Sequence, residues 1–588
     1  MCRAPSAGAR ALSKTRDTMD TPTPTAKVPF GKQLRSFGPT FWVANWMELI
    51  ERFAYYGVRV TLPVLLVMAI GAGGPELTHT QKGTIYAIWA LVQSFVPIFS
   101  GGFADRYGFK KNIAISILLS VAGYLIMGFS MAISDAITGV PLAVGRPAGD
   151  DVVFGVFFLG AMLLAFGTAV FKPGIQGLVA HAIPKSSAAT GWSLFYQAVN
   201  IGGFIGPMIG GVLRLLDFEL VFILAAVAIS LNFIPLIFIK EPGHERDKTL
   251  NPMTIMWRSL TGLIEPRLFF FIIAFAGFWL MFYQLFDILP NFIDDWVDST
   301  GAANFLQSIF GSGIPTTHGG NLIQEWMLNV NSMLISLFAF AMGYLTGKVT
   351  SLTAIVIGIT ISAVGILVLG TSMSGWVTIG AIAIFSVGEM AASPTKMRYL
   401  ASICPPGSEG RYMGYVNATV GIGWSIGSVI AGELYQTGGD KIQLARKYLV
   451  EHVGQGATAI QDMARDAVLP HFQQTVGTDA TGVRELLWET YKPYSMWLTF
   501  ALIGAGSLLM LVIYTRIVRQ AAKRQDHLFN THGYLFVRIA LGLVVGVLTT
   551  LAIVRPDPAV IAQAGLFGMM LVASLVAKVN TLVAGADG

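Results

Sequence analysis

The chain has 588 residues, 54% of them hydrophobic and only 12% charged, with a net charge of +6. Soluble globular chains carry about 25% charged residues, so water is not the main solvent here. The positive charge is dispersed over the first forty residues and short connectors, which excludes a nucleic-acid stripe, and two cysteines, Cys2 and Cys404, exclude a disulfide framework.

Residues 1–40 carry Arg3, Arg10, Lys14, Arg16, Lys27, Lys32 and Arg35 without a central apolar stretch. They read as a cytoplasmic N-terminal tail, not as a cleavable secretory signal. Apolar runs long enough to cross a hydrocarbon core about 30 Å thick as helices then fall at 41–70, 82–103, 111–133, 152–177, 191–213 and 219–239. These form a first six-helix bundle, 41–240, followed by a cytoplasmic inter-bundle linker, 241–266. Six more spans, at 268–292, 326–347, 351–371, 375–397, 412–436 and 492–515, make a second bundle, 267–520, interrupted by a polar external segment at 437–490. Two further runs, 532–553 and 558–583, place two additional transmembrane helices in 521–588 and bring the total to fourteen. Runs such as LFVRIALGLVVGVLTTLAIV are apolar all round, whereas barrel strands alternate. The expected class is therefore all-α integral membrane.

Short connectors carrying Arg106, Lys110 and Lys111, Lys185, the 240–267 group, Lys348, Lys396, Arg398 and Arg411, and Arg516 to Arg524 all fall on one side. The positive-inside rule makes that side cytoplasmic and puts both termini inside the cell (inner) membrane. The opposite connector at 293–325 carries Asp294, Asp295 and Asp298. The polar segment 437–490 includes Lys441, Arg446, Lys447, Arg465 and Arg484 yet is external, because long loops cross largely regardless of charge.

Between the second and third spans stands GGFADRYGFKK, Gly101 to Lys111. It resembles the signature loop of the major facilitator superfamily, with Phe109 where a basic residue is usual. The resemblance implies two homologous halves with a site between them, and makes Gly101, Asp105, Arg106 and Gly108 a gating loop. At the matching place in the second half, GYLTGKVT keeps the glycine and lysine but has Gly347 where Asp105 stands.

The most informative stretch is ELIERFAYYGVR, Glu48 to Arg59, inside the first span. At 3.6 residues per turn Glu48, Glu51 and Arg52 share a face, with Tyr55, Tyr56 and Arg59 continuing it. An ionised group near the bilayer centre costs on the order of 2.5–3.5 kcal/mol by insertion scales, so this stripe faces a cavity or a partner. A buried ion-pair network pinning the helix to its neighbours is the purely structural alternative. Two carboxylates with one arginine also leave an acid whose protonation can answer to its surroundings, as a proton relay requires.

ELIERFAYYG fits the ExxERFxYYG signature of the proton-dependent oligopeptide transporter family, and the chain resembles that family through about residue 436. Supporting matches are GTAVFKP with Lys172, FYQAVNIG with Asn200, FWLMFYQ with Gln284, GEMAASP with Glu389, and Pro405 to Gly414 before Tyr415. The resemblance implies proton coupling by Glu48, Glu51, Arg52 and Lys172. It implies a substrate carboxylate at Arg59 and Lys172, an amino group at Glu389, and a cavity lined by Tyr55, Tyr56, Asn200 and Gln284. Two cations in one bundle and an anion in the other would complement a zwitterion. Tyr283 stands where many members have an acid, Asp287 follows three residues after Gln284, Tyr415 replaces a usual tryptophan, and the extra spans follow the second bundle instead of separating the two.

His79 and His181 sit near connector ends and read as solvent-exposed or capping residues, and Arg538 as a snorkelling side chain. No metal-ligand spacing, phosphate-cradling loop or nucleophile motif is present. No enzyme activity, metal or cofactor is therefore expected. The expected function is proton-coupled symport of di- and tripeptides by alternating access, with the small solute, protons and the bilayer as partners, no nucleic acid, and the monomer as working unit. The alternatives are the same fold carrying another organic solute or anion (nitrate-, amino-acid- or drug-like), and a non-transporting membrane receptor or scaffold.

Overall fold

A computed structural model describes residues 29–144, 146–184, 187–239, 252–404, 409–524 and 531–576. Most of the expected N-terminal tail, the first part of the linker and Pro405 to Ser408 lie outside the described residues. The spanning helices are α1 (Pro39–Leu65), α2 (His79–Tyr107), α3 (Phe109–Gly128), α4 (Asp151–Ala182), α5 (Ala188–Arg214) and α6 (Phe218–Ser230, continued by Phe233–Phe238). The second set is α7 (Pro266–Phe282, continued by Gln284–Asp287), α8 (Gln324–Gly347), α9 (Ser351–Leu369), α10 (Gly375–Ile403), α11 (Glu409–Gly438) and α12 (Met496–Arg524). A final pair is α13 (Thr531–Val554) and α14 (Pro558–Val576).

Among the described residues, ten of these helices are long and apolar enough to cross a membrane by composition alone. The other four, α1, α2, α5 and α11, have 27, 29, 27 and 30 residues, also long enough to span. They pair with one another: α1 packs on α5 within the first bundle, and α2 packs on α11 across the two bundles.

Without a hydrophobic force between helices in lipid, close packing depends on small residues that let backbones approach. A Cβ on Gly123 of α3 would stand 2.7 Å from the Gly160 carbonyl oxygen of α4, and one on Gly358 of α9 would stand 2.6 Å from that of Gly388 of α10. The same glycine-to-glycine contact thus recurs in corresponding helix pairs of both halves. Proline interrupts α1 at Pro63, α2 at Pro97, α4 at Pro173, α5 at Pro207 and α10 at Pro394. Each removes a helical hydrogen bond and permits a bend.

The boundaries depart from the sequence reading in places. Helix α2 runs on to Tyr107, so the expected loop contracts to the single residue Gly108, whose φ of +96° a side-chain-bearing residue seldom adopts. Gly101 lies within α2, and the side chains of Asp105 and Arg106 are outside the described residues. The linker contributes a helix, Pro252–Leu263, packed on α2 and α14. Segment 437–490 folds into four short helices, Lys441–Glu451, Ala457–Gln461, Arg465–Val476 and Ala480–Tyr491. Asp440 caps the first of them through the amides of Ile442 and Gln443. Arg538 does not snorkel: its Nε and Nη2 donate to the Ser574 carbonyl at 2.9 and 2.7 Å, closing the C-terminal turns of α14. The pair α13–α14 docks chiefly through α14, where Asp557 accepts from Thr84 of α2 at 2.8 Å and Gln563 donates to Ser425 of α11 at 2.9 Å, while α13 touches α7.

Candidate functional site

A cavity of about 230 Å³ lies between the bundles, walled by α1, α2, α4 and α5 on one side and α7, α8 and α10 on the other. Arg52, Tyr55, Tyr56 and Arg59 face it from α1, Gln93 from α2, Lys172 from α4, and Tyr196 and Asn200 from α5. Phe282, Tyr283, Phe286, Asn329, Asn331 and Glu389 complete the opposite wall.

The periodicity of α1 places its charges as the sequence implies. Arg52 forms an ion pair with Glu51 and lies 3.5 Å from Glu48, all three being 3–4% exposed. Its guanidinium also sits 4.9 Å from the centre of the Tyr55 ring. Glu48 keeps one buried oxygen, Oε2, without a hydrogen-bond partner among the described residues. Lys172 lies in the field of Arg52, Glu48 and Glu51, yet makes no ion pair within 4 Å among the described residues. Pro173 follows it directly in α4.

Arg59 is engaged differently. It forms an ion pair with Asp287, donates to the Phe286 carbonyl at 3.1 Å, and lies 4.1 Å over the Tyr86 ring. Asp287 is completed by Ser428 at 2.6 Å and Trp424 at 3.2 Å. Of the two cations expected to meet a carboxylate, therefore, Lys172 has no counter-ion among the described residues and Arg59 already has one. Glu389 accepts from Asn331 at 2.8 Å, and Asn331 also donates to Ser386 at 2.9 Å. Tyr55 donates to Gln93 at 2.9 Å, and Asn200 donates to the Tyr196 carbonyl at 2.9 Å.

Gln284, expected to line the cavity, does not. It is fully buried, donates to the Leu280 carbonyl at 2.6 Å and packs against Gly427 of α11. The cause is the break in α7 after Phe282, which turns Phe282, Tyr283 and Phe286 toward the cavity. Tyr283 stacks on Trp424 with ring centroids 4.3 Å apart and planes 4° from parallel.

One end of the cavity is shut. Arg214 of α5 and Glu325 of α8 pair at 2.7 Å, Asn329 donates to the Phe204 carbonyl at 2.6 Å, and Gln324 donates to the Val60 carbonyl at 3.1 Å. Lys82 donates to Asn291, which in turn donates to the Pro63 carbonyl at 2.8 Å. The Arg214–Glu325 and Asn329–Phe204 contacts join the C-terminal half of α5 to the N-terminal half of α8. Among the described residues no hydrogen bond or ion pair joins the opposite halves of those two helices, and Trp192 and Tyr196 there are 40% and 48% exposed. The cavity opens at that end.

Two side chains, His79 and Lys396, sit otherwise than expected, and a third, Lys82, carried no expectation. His79 is 2% exposed, not a solvent-facing cap; its Nε2 meets Asp440 at 3.1 Å while Arg465 holds the same carboxylate at 2.8 Å. Burial acts to raise the Asp440 carboxyl, but Arg465 and His79 outweigh it and hold the group below the usual carboxylate range. Lys396, read as a connector residue, is 3% exposed within α10, its ammonium 4.2 Å over the Trp279 ring. Lys82 is likewise buried at 1% exposure. Charged residues inside long apolar runs were the available signal for both lysines. His181 is exposed, as expected.

Comparison with known proteins agrees with this architecture. The family model described as Major Facilitator Superfamily matches residues 47–311 and 299–445. The chain is similar to the multidrug resistance protein MdtH of Photorhabdus laumondii, 22% identical over 421 residues that cover 69% of this chain and 88% of that one. It is also similar to the peptide transporter YePEPT of Yersinia enterocolitica, 28% identical over 167 residues, 28% of this chain and 29% of that one. A crystal structure of a glutamate-to-glutamine mutant of the peptide transporter POT with alafosfalin superposes at TM-score 0.56 and 17% identity, covering 84% of this chain and 98% of that one. A POT family transporter with 5-aminolevulinic acid gives 0.51 and 17%, covering 76% and 98%.

Proposed function

This chain belongs to the Major Facilitator Superfamily, and from that premise we propose that it is a proton-coupled symporter of di- and tripeptides working by alternating access. It is a multi-pass membrane transporter; the cargo and the coupling are our reading. In that reading the halves 41–240 and 267–520 rock about the cavity, both termini are cytoplasmic in the cell membrane, the sealed end faces outward and the monomer is the working unit.

The observation that carries the proposal is a pair of opposite charges, Lys172 and Glu389, facing one cavity from different bundles without an ion partner of their own among the described residues. A zwitterion fits between them, its carboxylate at Lys172 and its ammonium at Glu389, with Asn200, Asn329 and Asn331 available to the peptide group and the aromatic wall to its side chains. Behind Lys172, Glu48 and Glu51 share Arg52. A proton taken up by either acid transfers the hold on Arg52 to the other and changes the field at Lys172, so proton and substrate act on the same lysine. One charge crossing 100 mV supplies about 2.3 kcal/mol, a concentration ratio of roughly fifty.

Uptake of labelled dialanine into proteoliposomes under an imposed inward proton gradient tests this. Accumulation above equilibrium is expected in the parent protein, and equilibration without accumulation in Glu51→Gln. Uptake indifferent to the gradient defeats the coupling, and equal uptake of N-acetylated dialanine defeats the role given to Glu389.

A second reading, export of drug-like solutes, is favoured by the MdtH relatives, which match over most of their length, and by the aromatic wall. Drug efflux from the same vesicles, with no competition by dialanine, would select it.

A further inference from the structure

A second cavity, of about 150 Å³, lies at the sealed end, apart from the central one. A single water needs about 10–15 Å³, so the space accommodates a small organic solute. Its polar walls come from two parts of the chain: Glu76 and His79 at the start of α2, and Gln443, Arg446, Gln461 and Arg465 from the short helices and turns after α11.

These groups are fixed and only partly satisfied. Arg446 is anchored by the carbonyls of Ile460 at 2.7 Å and Met463 at 2.6 Å, and its buried Nε has no partner among the described residues. Arg465 gives Nη2 to Asp440 at 2.8 Å. His79, 2% exposed, uses Nε2 on Asp440 and leaves a buried Nδ1 unpartnered among the described residues. Glu76 accepts from the Ile70 amide through Oε2 at 2.9 Å, leaving its other oxygen. A buried donor without a partner, such as Arg446 Nε, is costly, and two guanidiniums around one space are matched by a carboxylate.

We propose that this cavity is a second binding site, taking a small zwitterion of the amino-acid or dipeptide class with its carboxylate on Arg446 and Arg465 and its ammonium on Glu76. The superfamily match ends at residue 445, so both arginines belong to a part of the chain beyond it. The class of solute follows from these walls alone and is independent of what the central cavity carries. The occupant touches α2 and the segment after α11, bridging the two bundles where they are closed.

The test uses the full-length protein in detergent with Cys2→Ser and Cys404→Ser, and with Lys172→Gln and Glu389→Gln to silence the central cavity. Gln443→Cys is labelled with a methanethiosulfonate, and glycylglycine at ten times its half-saturating concentration is expected to slow labelling about tenfold by mass action. Glycinamide, which lacks the carboxylate, is expected to protect at least tenfold more weakly. Labelling indifferent to glycylglycine, equal protection by glycinamide, or equal slowing by sodium chloride at matched ionic strength each overturns the site. Gln461→Cys supplies the same readout if the first cysteine variant does not fold.

Discussion

At the sealed end Arg214 and Glu325 meet from opposite bundles at 2.7 Å, whereas in the cavity Lys172 and Glu389 face open space with no ion partner among the described residues. The three charges behind Lys172 form a third arrangement: Glu48 and Glu51 share Arg52 within a single helix. The difference separates two tasks. A pair inside one helix survives any rocking of the bundles and is free to change only by protonation. A pair between bundles must break each time the sealed end opens, and therefore sets how long it stays shut.

Breaking the seal should give the largest effect. Arg214 and Glu325 are 6% and 0% exposed at their side chains, and removing one member of a buried pair costs about 3–5 kcal/mol because the other charge is stranded. That cost falls on the closed arrangement, since opening hydrates the stranded group. Glu325→Gln is expected to shift the population toward the arrangement open at this end by roughly a hundredfold or more. Spin labels on α5 and α8 near the pair would record the change as a longer distance. Replacing both members by methionine should restore the closed distance, because the pair's net worth against packed apolar side chains is small. A doubly substituted protein that stays open would mean the pair does more than neutralise charge.

A smaller effect is expected where the bundles touch through backbone alone. A Cβ on Gly432 of α11 would stand 2.6 Å from the His79 carbonyl oxygen, and one on Gly83 of α2 would stand 2.5 Å from that of Ser428. Both contacts lie on the α2–α11 seam. Gly432→Ala forces that seam apart, and overpacking of this kind costs about 1–3 kcal/mol. A lowered Tm in detergent, with the cavity's ligand binding retained, is the expected outcome. An unchanged Tm would show that the seam is looser than its geometry implies.

The open cavity was more legible in the sequence than the sealed end, for a physical reason. Glu48, Glu51, Arg52 and Arg59 stand out against an apolar run, and their spacing alone puts them on one face of α1. Partners across the bundles leave no such trace: His79 and Asp440 are 361 residues apart, and neither was read as buried. Lys396 was assigned to a connector because Arg398 and Arg411 follow it, and its cover comes from Trp279 on another helix. Gln284 was misplaced because the break in α7 at Tyr283 rotates everything after it. Gly108 was read as part of a loop, but a single glycine completes the turn between α2 and α3.

The finest distinction between the two regions is their response to pH at the sealed end. Asp295 accepts from Tyr435 at 2.8 Å and lies 4.0 Å from Lys441. Burial, opposed by Lys441, pushes its carboxyl up to about 6, above the ordinary value of about 3.9. A raised carboxyl favours the folded protein while protonated, so this contribution is complete below about pH 4 and is lost as pH rises through about 6. Asp440, held low by Arg465 and His79, works the other way: its contribution is present above about pH 4 and fades only in stronger acid. Between pH 5 and 8 the neighbouring carboxylates thus divide, Asp295 titrating and Asp440 remaining charged. Asp295→Asn should raise Tm relative to the parent at pH 8 and lose that advantage toward pH 4.5, a crossover read by scanning both proteins across the range. A constant difference at every pH would assign the titration to another group and leave the sealed end without a proton-sensitive member in this window.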